Sequence, residues 1–193
     1  MDYMRDAIRR LAESIRSPYH CAMKRQATLA IAALLSLAAG QKAVDAPKTA
    51  PATHVTTQDI QDFIARMPQD RISDLPIRAI DVGGYRVGVF AVVRPKASPE
   101  DAIYHDTNMT EILYILEGAG TLITGGTIPD ARPPARPGGN FTGTKIDGGT
   151  SRHVGPGDVI ITPGRTPHLW QDLESDMRYL VFRPDPEGTL RLK

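Results

Sequence analysis

Apolar positions change their spacing twice along this chain, and each change marks a different kind of element. From Ala27 to Ala39 the sequence is an apolar run of 13 residues, broken only by Thr28 and Ser36. Ile60, Phe63, Ile64 and Met67 then fall at i, i+3, i+4 and i+7, the spacing of one helix face. Thr56 and Asp59 give that helix a capping-box-like start, and Pro68 ends it. Beyond it the apolar residues gather into short β-rich runs punctuated by Gly and Pro: 77–82, 85–93, 103–105, 111–117, 121–124, 151–154, 159–162, 168–173 and 177–182. Gly83-Gly84 between the first two runs is a hairpin signal. So many short strands predict an all-β fold, a single antiparallel sandwich or barrel with one short N-terminal helix.

The first apolar run follows Met23-Lys24-Arg25-Gln26 and leads into Ala38-Ala39-Gly40, the order of a secretory signal with a cut after Gly40. It is shorter than the roughly 20 apolar residues a helix needs to cross a bilayer. Residues 1–40 are therefore expected to be a leader, of which 23–40 are the signal peptide. Residues 1–22 are accounted for by a start called too early, with Ile8, Leu11 and Ile15 at helical spacing. The mature protein is expected to be periplasmic or secreted, without a transmembrane anchor. Residues 41–55, with Pro47 and Pro51, form an irregular spacer. One domain fills 56–193, with its core at 76–184. Within it, residues 125–149 hold seven glycines and four prolines, which predicts a long loop.

Charge narrows the partners. Among 193 residues, 23 are basic and 22 acidic, a formal net charge of +1 with no long basic run. This excludes a nucleic-acid or anionic-membrane surface as the main partner and leaves a small molecule. Cys21, the only cysteine, falls in the leader, so the body has no disulfide, no thiolate zinc cluster and no cysteine nucleophile. Any metal must be held by histidine and carboxylate.

Of five histidines, His105, His153 and His168 lie in the β-rich body. His153, between Arg152 and Val154, reads as a solvated strand-end residue. His105 is followed by Thr107 at +2 and Glu111 at +6, positions that share its face if the chain stays extended. His168 opens a strand after the turn Pro163-Gly164-Arg165-Thr166-Pro167. Tyr104 points to the face opposite His105.

These blocks resemble the two signature motifs of the cupin superfamily. The first motif reads His-x-His, a glutamate three or four residues on, then six residues and glycine; here it is His105-Asp106-Thr107, Glu111 and Gly118. The second reads glycine, five residues, Pro-x-Gly, two residues and histidine, then three residues and asparagine. Here Gly157, Pro163 and His168 match it, while Arg165 replaces the glycine and Asp172 the asparagine. The resemblance covers residues 76–184 and implies a β-barrel or jelly roll with a metal site.

It implies His105, Glu111 and His168 as ligands of one divalent transition metal: Fe, Mn, Ni, Zn or Cu. Thr107 stands where the family has another histidine, which leaves a two-histidine, one-carboxylate set like that of non-haem Fe(II) oxygenases. Thr107 could hold a metal-bound water, Tyr114 and Trp170 could line the pocket, and Asn108 could orient a substrate or cap a turn. Two functions stay open: a metal-dependent small-molecule enzyme of dioxygenase or isomerase type, and a non-catalytic small-molecule-binding protein with a degenerate site. A homodimer is compatible with both.

Overall fold

The computed structural model describes residues 51–135 and 139–193. The expected leader and the spacer up to residue 50 lie outside the described residues. Helix α1 (Thr57–Ala65) opens on the expected capping box: the Thr56 side chain accepts from the Asp59 N–H, and the Asp59 carboxylate accepts from the Thr56 N–H. Ten strands follow: β1 (Ser73–Asp81), β2 (Arg86–Arg94), β3 (Ala102–His105), β4 (Glu111–Glu117), β5 (Gly120–Thr124), β6 (Asn140–Gly143), β7 (Thr150–Val154), β8 (Val159–Thr162), β9 (His168–Gln171) and β10 (Met177–Asp185). Among the described residues no helix is long and apolar enough to cross a membrane.

The strands form two five-stranded antiparallel sheets, β1-β2-β10-β4-β8 and β6-β3-β9-β5-β7. The chain passes from one sheet to the other at β2/β3, β3/β4, β4/β5, β7/β8, β8/β9 and β9/β10, and the crossings at β3/β4 and β8/β9 bring strand ends from both sheets to the same place. Alternation along each strand sends one row of side chains between the sheets. Phe90, Val92, Leu113, Ile115, Met177, Tyr179 and Val181 from one sheet pack there with Leu122, Val154 and Trp170 from the other. The opposite face of the first sheet is covered by α1, whose Ile64 joins Met67, Ile77, Ala91, Val93 and Leu180. The stripe read from the sequence is thus the face the helix buries.

Two expectations need correction. β1 begins at Ser73 and β10 runs to Asp185, so the core is wider than 76–184 at both ends. The segment 125–149 is not one long loop: it contains β6, paired with β3, and isolated bridges Thr127↔Asp147 and Arg132↔Thr142. Nor is it without core residues, since Ile128 and Ile146 pack on Ala102, Leu169 and Ile123 on the outer face of the second sheet. Tyr104 faces that side too, stacked on Phe141 with ring centroids 4.6 Å apart.

Candidate metal centre

His105 ends β3, Glu111 begins β4 and His168 begins β9, and one ligand atom of each lies within 4.8 Å of the others. They do not meet by sharing a strand face, as the +6 spacing suggested. β3 and β4 belong to different sheets, and residues 106–110 carry the chain between them. Both side chains point inward because each belongs to the inner row of its own strand.

Hydrogen bonds fix the orientation of both imidazoles. His105 Nδ1 lies 2.7 Å from the side-chain carbonyl oxygen of Asn140 in β6. His168 Nδ1 lies 3.1 Å from the Thr166 carbonyl. Each oxygen accepts, so each Nδ1 carries a proton; in the neutral ring Nε2 keeps its lone pair for a metal, whereas a protonated His105 donates from Nε2 to Glu111. Those two Nε2 atoms face the Glu111 carboxylate, at 3.3 Å from Oε1 for His105 and 3.8 Å from Oε2 for His168. Glu111 is 6% exposed. Its Oε1 accepts from Arg183 Nε at 2.8 Å and forms an ion pair with Nη2 at 2.6 Å, while Oε2 is left facing His168 beyond hydrogen-bond reach. Arg183 in turn donates to Asp74, from Nη1 at 3.1 Å and Nη2 at 2.5 Å, and lies over the Phe90 ring.

Burial works against the Glu111 anion, but the hydrogen bond to His105 and the charge of Arg183 outweigh it and hold its pKa well below the usual carboxylate range. Burial also opposes the Arg183 cation, and the charges of Asp74 and Glu111 more than restore it. For His105 burial favours the neutral ring, yet the Glu111 hydrogen bond raises its pKa overall. For His168 burial prevails over Glu111 and lowers it.

This donor set suits a divalent ion. Two Nε2 lone pairs and a free carboxylate oxygen converge, both imidazoles are oriented from behind, and the second carboxylate oxygen is hydrogen-bonded, as carboxylate ligands commonly are. The three residues line a cavity of ≈130 Å³ inside the barrel, with Asp74, Arg94, Asn140, Thr162, Trp170, Tyr179 and Arg183 among its other walls.

The remaining residues singled out from the sequence are dispersed. Trp170 is inside, 3% exposed. Thr107 does not line the cavity; its hydroxyl accepts from the Met109 N–H at 3.4 Å within the β3–β4 loop. Asn108 is on the surface and donates to Glu187 at 2.6 Å. Tyr114 lies three residues after Glu111 and therefore on the outer face, beside α1. His153 is exposed and pairs with Glu174 at 2.9 Å. Gly118 (φ +81°) and Gly157 (φ +91°) occupy turns, and a side chain at Gly118 would meet the Asp176 carbonyl. Pro163 accepts from the Thr166 N–H in the turn before His168.

Sequence reasoning missed Arg94, Arg183, Asp74, Asn140 and Tyr179. The available signal was parity: Arg94 continues the inward row Phe90, Val92, and Arg183 the row Tyr179, Val181. Each lies one residue past the end of the strand read from the sequence, where the alternation was not followed.

No protein-family model matches the chain, and no curated protein matches it. Among solved structures, it is similar to the DMSP lyase DddQ from Ruegeria pomeroyi DSS-3, at 18% identity over 86% of this chain and 93% of that one, TM-score 0.44. It is similar to the polyketide cyclase RemF from Streptomyces resistomycificus at 20% identity, over 72% and 83%, TM-score 0.40. It is also similar to an RmlC-like cupin family protein from Methanocaldococcus jannaschii at 14%, over 63% and 90%, TM-score 0.39. The chain's own sheet order, with the two sequence motifs at the ends of β3, β4 and β9, gives it the fold of the cupins. Its motif-like blocks supply two imidazoles where the cupin motifs supply three.

Proposed function

We propose that this protein is an exported, metal-dependent enzyme of dioxygenase or isomerase type acting on a small molecule inside the barrel. The observation that carries this reading is the pair of oriented imidazoles facing Glu111 in the cavity between the sheets. His105 Nε2, His168 Nε2 and Glu111 Oε2 would hold the ion, and Arg183 keeps Glu111 ionised by donating to its other oxygen. A bound divalent ion would supply Lewis acidity toward an oxygen of the substrate. Trp170 and Tyr179, both buried, line the cavity beside its charged groups. Export is supported by the signal-like order of residues 23–40.

The reading is tested by loading the protein with Fe(II), Mn(II), Ni(II), Zn(II) or Cu(II) in turn and assaying small organic acids and oxygenated rings. Turnover should disappear in His105→Ala and His168→Ala while the circular dichroism spectrum stays unchanged. Equal turnover in those variants would defeat it. The replacement of the family's second histidine by Thr107 favours a second reading, a non-catalytic binding protein. A ligand-dependent rise in melting temperature with no product under any metal would decide for it. Export is checked by the mass of the protein recovered from the periplasm or medium, which should begin at Gln41.

A further inference from the structure

The cavity contains two buried arginines, and they are not equivalent. Arg183 is committed to Asp74 and Glu111. Arg94, 8% exposed at the inner end of β2, is not fully used. Its Nε and Nη2 reach the Tyr179 hydroxyl at 3.4 and 3.3 Å, long for a charged donor, and its Nη1 contacts the Glu100 carboxylate. A guanidinium has five N–H groups, so these contacts leave donors without a protein acceptor among the described residues. The Tyr179 hydroxyl, accepting from Arg94, likewise keeps its own proton undirected. Trp170 lies under the guanidinium, 5.9 Å from its centroid.

Glu100 is an ill-fitted partner. It comes from the β2–β3 loop, and its Oε1 is buried with no hydrogen-bond partner among the described residues. Burial pushes its carboxyl pKa up despite the neighbouring arginine. Arg94 also lines a second recess of ≈220 Å³, with Glu100, Pro99 and Asp101, which shares Ile103, Asn140 and His168 with the metal cavity. Arg94 therefore stands between the recess holding Glu100 and the cavity holding the ligand triad.

We propose that Arg94, with the Tyr179 hydroxyl, is the carboxylate-binding residue of the barrel, and that Glu100 occupies the guanidinium until an organic acid replaces it. The proposal rests on the reading of the cavity as the ligand site. The ligand class is a small carboxylic acid carrying a carbonyl or hydroxyl oxygen at its other end, toward His105, Glu111 and His168. At ≈130 Å³ the cavity is close to the roughly 150 Å³ that accommodates benzene, which sets the size.

The probes are 3-hydroxypropionate and its neutral amide, titrated calorimetrically into the full chain, once after EDTA treatment and once after addition of Zn(II). The acid should bind at least about tenfold tighter than the amide in both states, as expected of a charge-assisted bidentate contact. Arg94→Gln should abolish that preference. Glu100→Gln should tighten acid binding several-fold by freeing the guanidinium, a gain that a purely structural Arg94–Glu100 pair would not produce. Should Arg94→Gln fail to fold, the double variant Arg94→Gln/Glu100→Gln, which removes both charges, carries the same expectation. Equal binding of acid and amide, no binding of either, an unchanged preference in the Arg94 variants, or no gain in Glu100→Gln overturns the proposal. If Zn(II) never binds but the acid preference behaves as stated, the metalloenzyme reading fails and this inference stands; the reverse pattern defeats this inference alone.

Discussion

Arg183 bonds the carboxylate that the metal would use, so its charge opposes a cation while its hydrogen bonds keep the ligand ionised and in place. Removing it as Arg183→Met leaves the buried Glu111 without its counter-charge. The metal-free protein should lose roughly 3–5 kcal/mol, the cost of breaking a buried pair from one side. Zn(II) should then raise the melting temperature of the variant more than that of the wild type, because the ion supplies the missing positive charge. A smaller rise in the variant would show that Arg183 assists the metal instead of competing with it. Arg165 shows a different residue-scale effect. It stands where the cupin motif has glycine, and its φ of +60° is the left-handed conformation glycine adopts freely. Arg165→Gly gives up only an exposed pair with Asp106 at 3.1 Å. It should stabilise the protein slightly, by less than about 1 kcal/mol, and so raise the urea midpoint; a lower midpoint would mean the Asp106 pair outweighs the backbone.

At the scale of elements, what could be read from the sequence depended on how local the information was. The capping box of α1 and its stripe Ile60, Phe63, Ile64 and Met67 were legible because cap and periodicity are properties of neighbouring residues. Nine of the strands were legible as runs for the same reason. β6 was not: Asn140-Phe141-Thr142-Gly143 carries little apolar signal and exists by pairing with β3. That strand supplies Asn140 to His105, so missing it also hid how the histidine is oriented. Asn140→Ala should weaken metal binding by about 10–100-fold, as loss of a residue that orients a ligand does, without altering the fold; unchanged affinity in a competition titration would remove Asn140 from the account. The helix cap gives a pH test. Side-chain and backbone hydrogen bonds from Thr56 hold the Asp59 carboxyl below its ordinary value. Because the folded pKa is the lower one, Asp59 contributes stability above its unfolded pKa, and that contribution is lost as pH falls through the folded value. An NMR titration should find Asp59 titrating at lower pH in the wild type than in Thr56→Ala.

At the scale of the whole molecule, the two motifs identified His105, Glu111 and His168, but the architecture explains why they meet. The chain crosses between sheets at β3/β4 and β8/β9, so three strand ends from two sheets reach one cavity. Sequence spacing suggested a shared strand face, which placed Thr107 near the site, and Tyr114 was read separately as an aromatic lining the pocket. The crossing moves Thr107 into the connecting loop, and strand parity puts Tyr114 outside. Two arginines, an asparagine and a tyrosine arrive in the cavity through long-range pairing that no local window contains. The central claim is that these strand ends hold a divalent metal through His105, Glu111 and His168. It is tested most directly by elemental analysis of the full chain, purified without a histidine tag beside His168→Ala, each before and after reconstitution. Near-stoichiometric Fe, Mn, Ni, Zn or Cu in the wild type that vanishes in the variant is the predicted result; a wild type that holds none after reconstitution, or a variant that retains it all, would contradict the account.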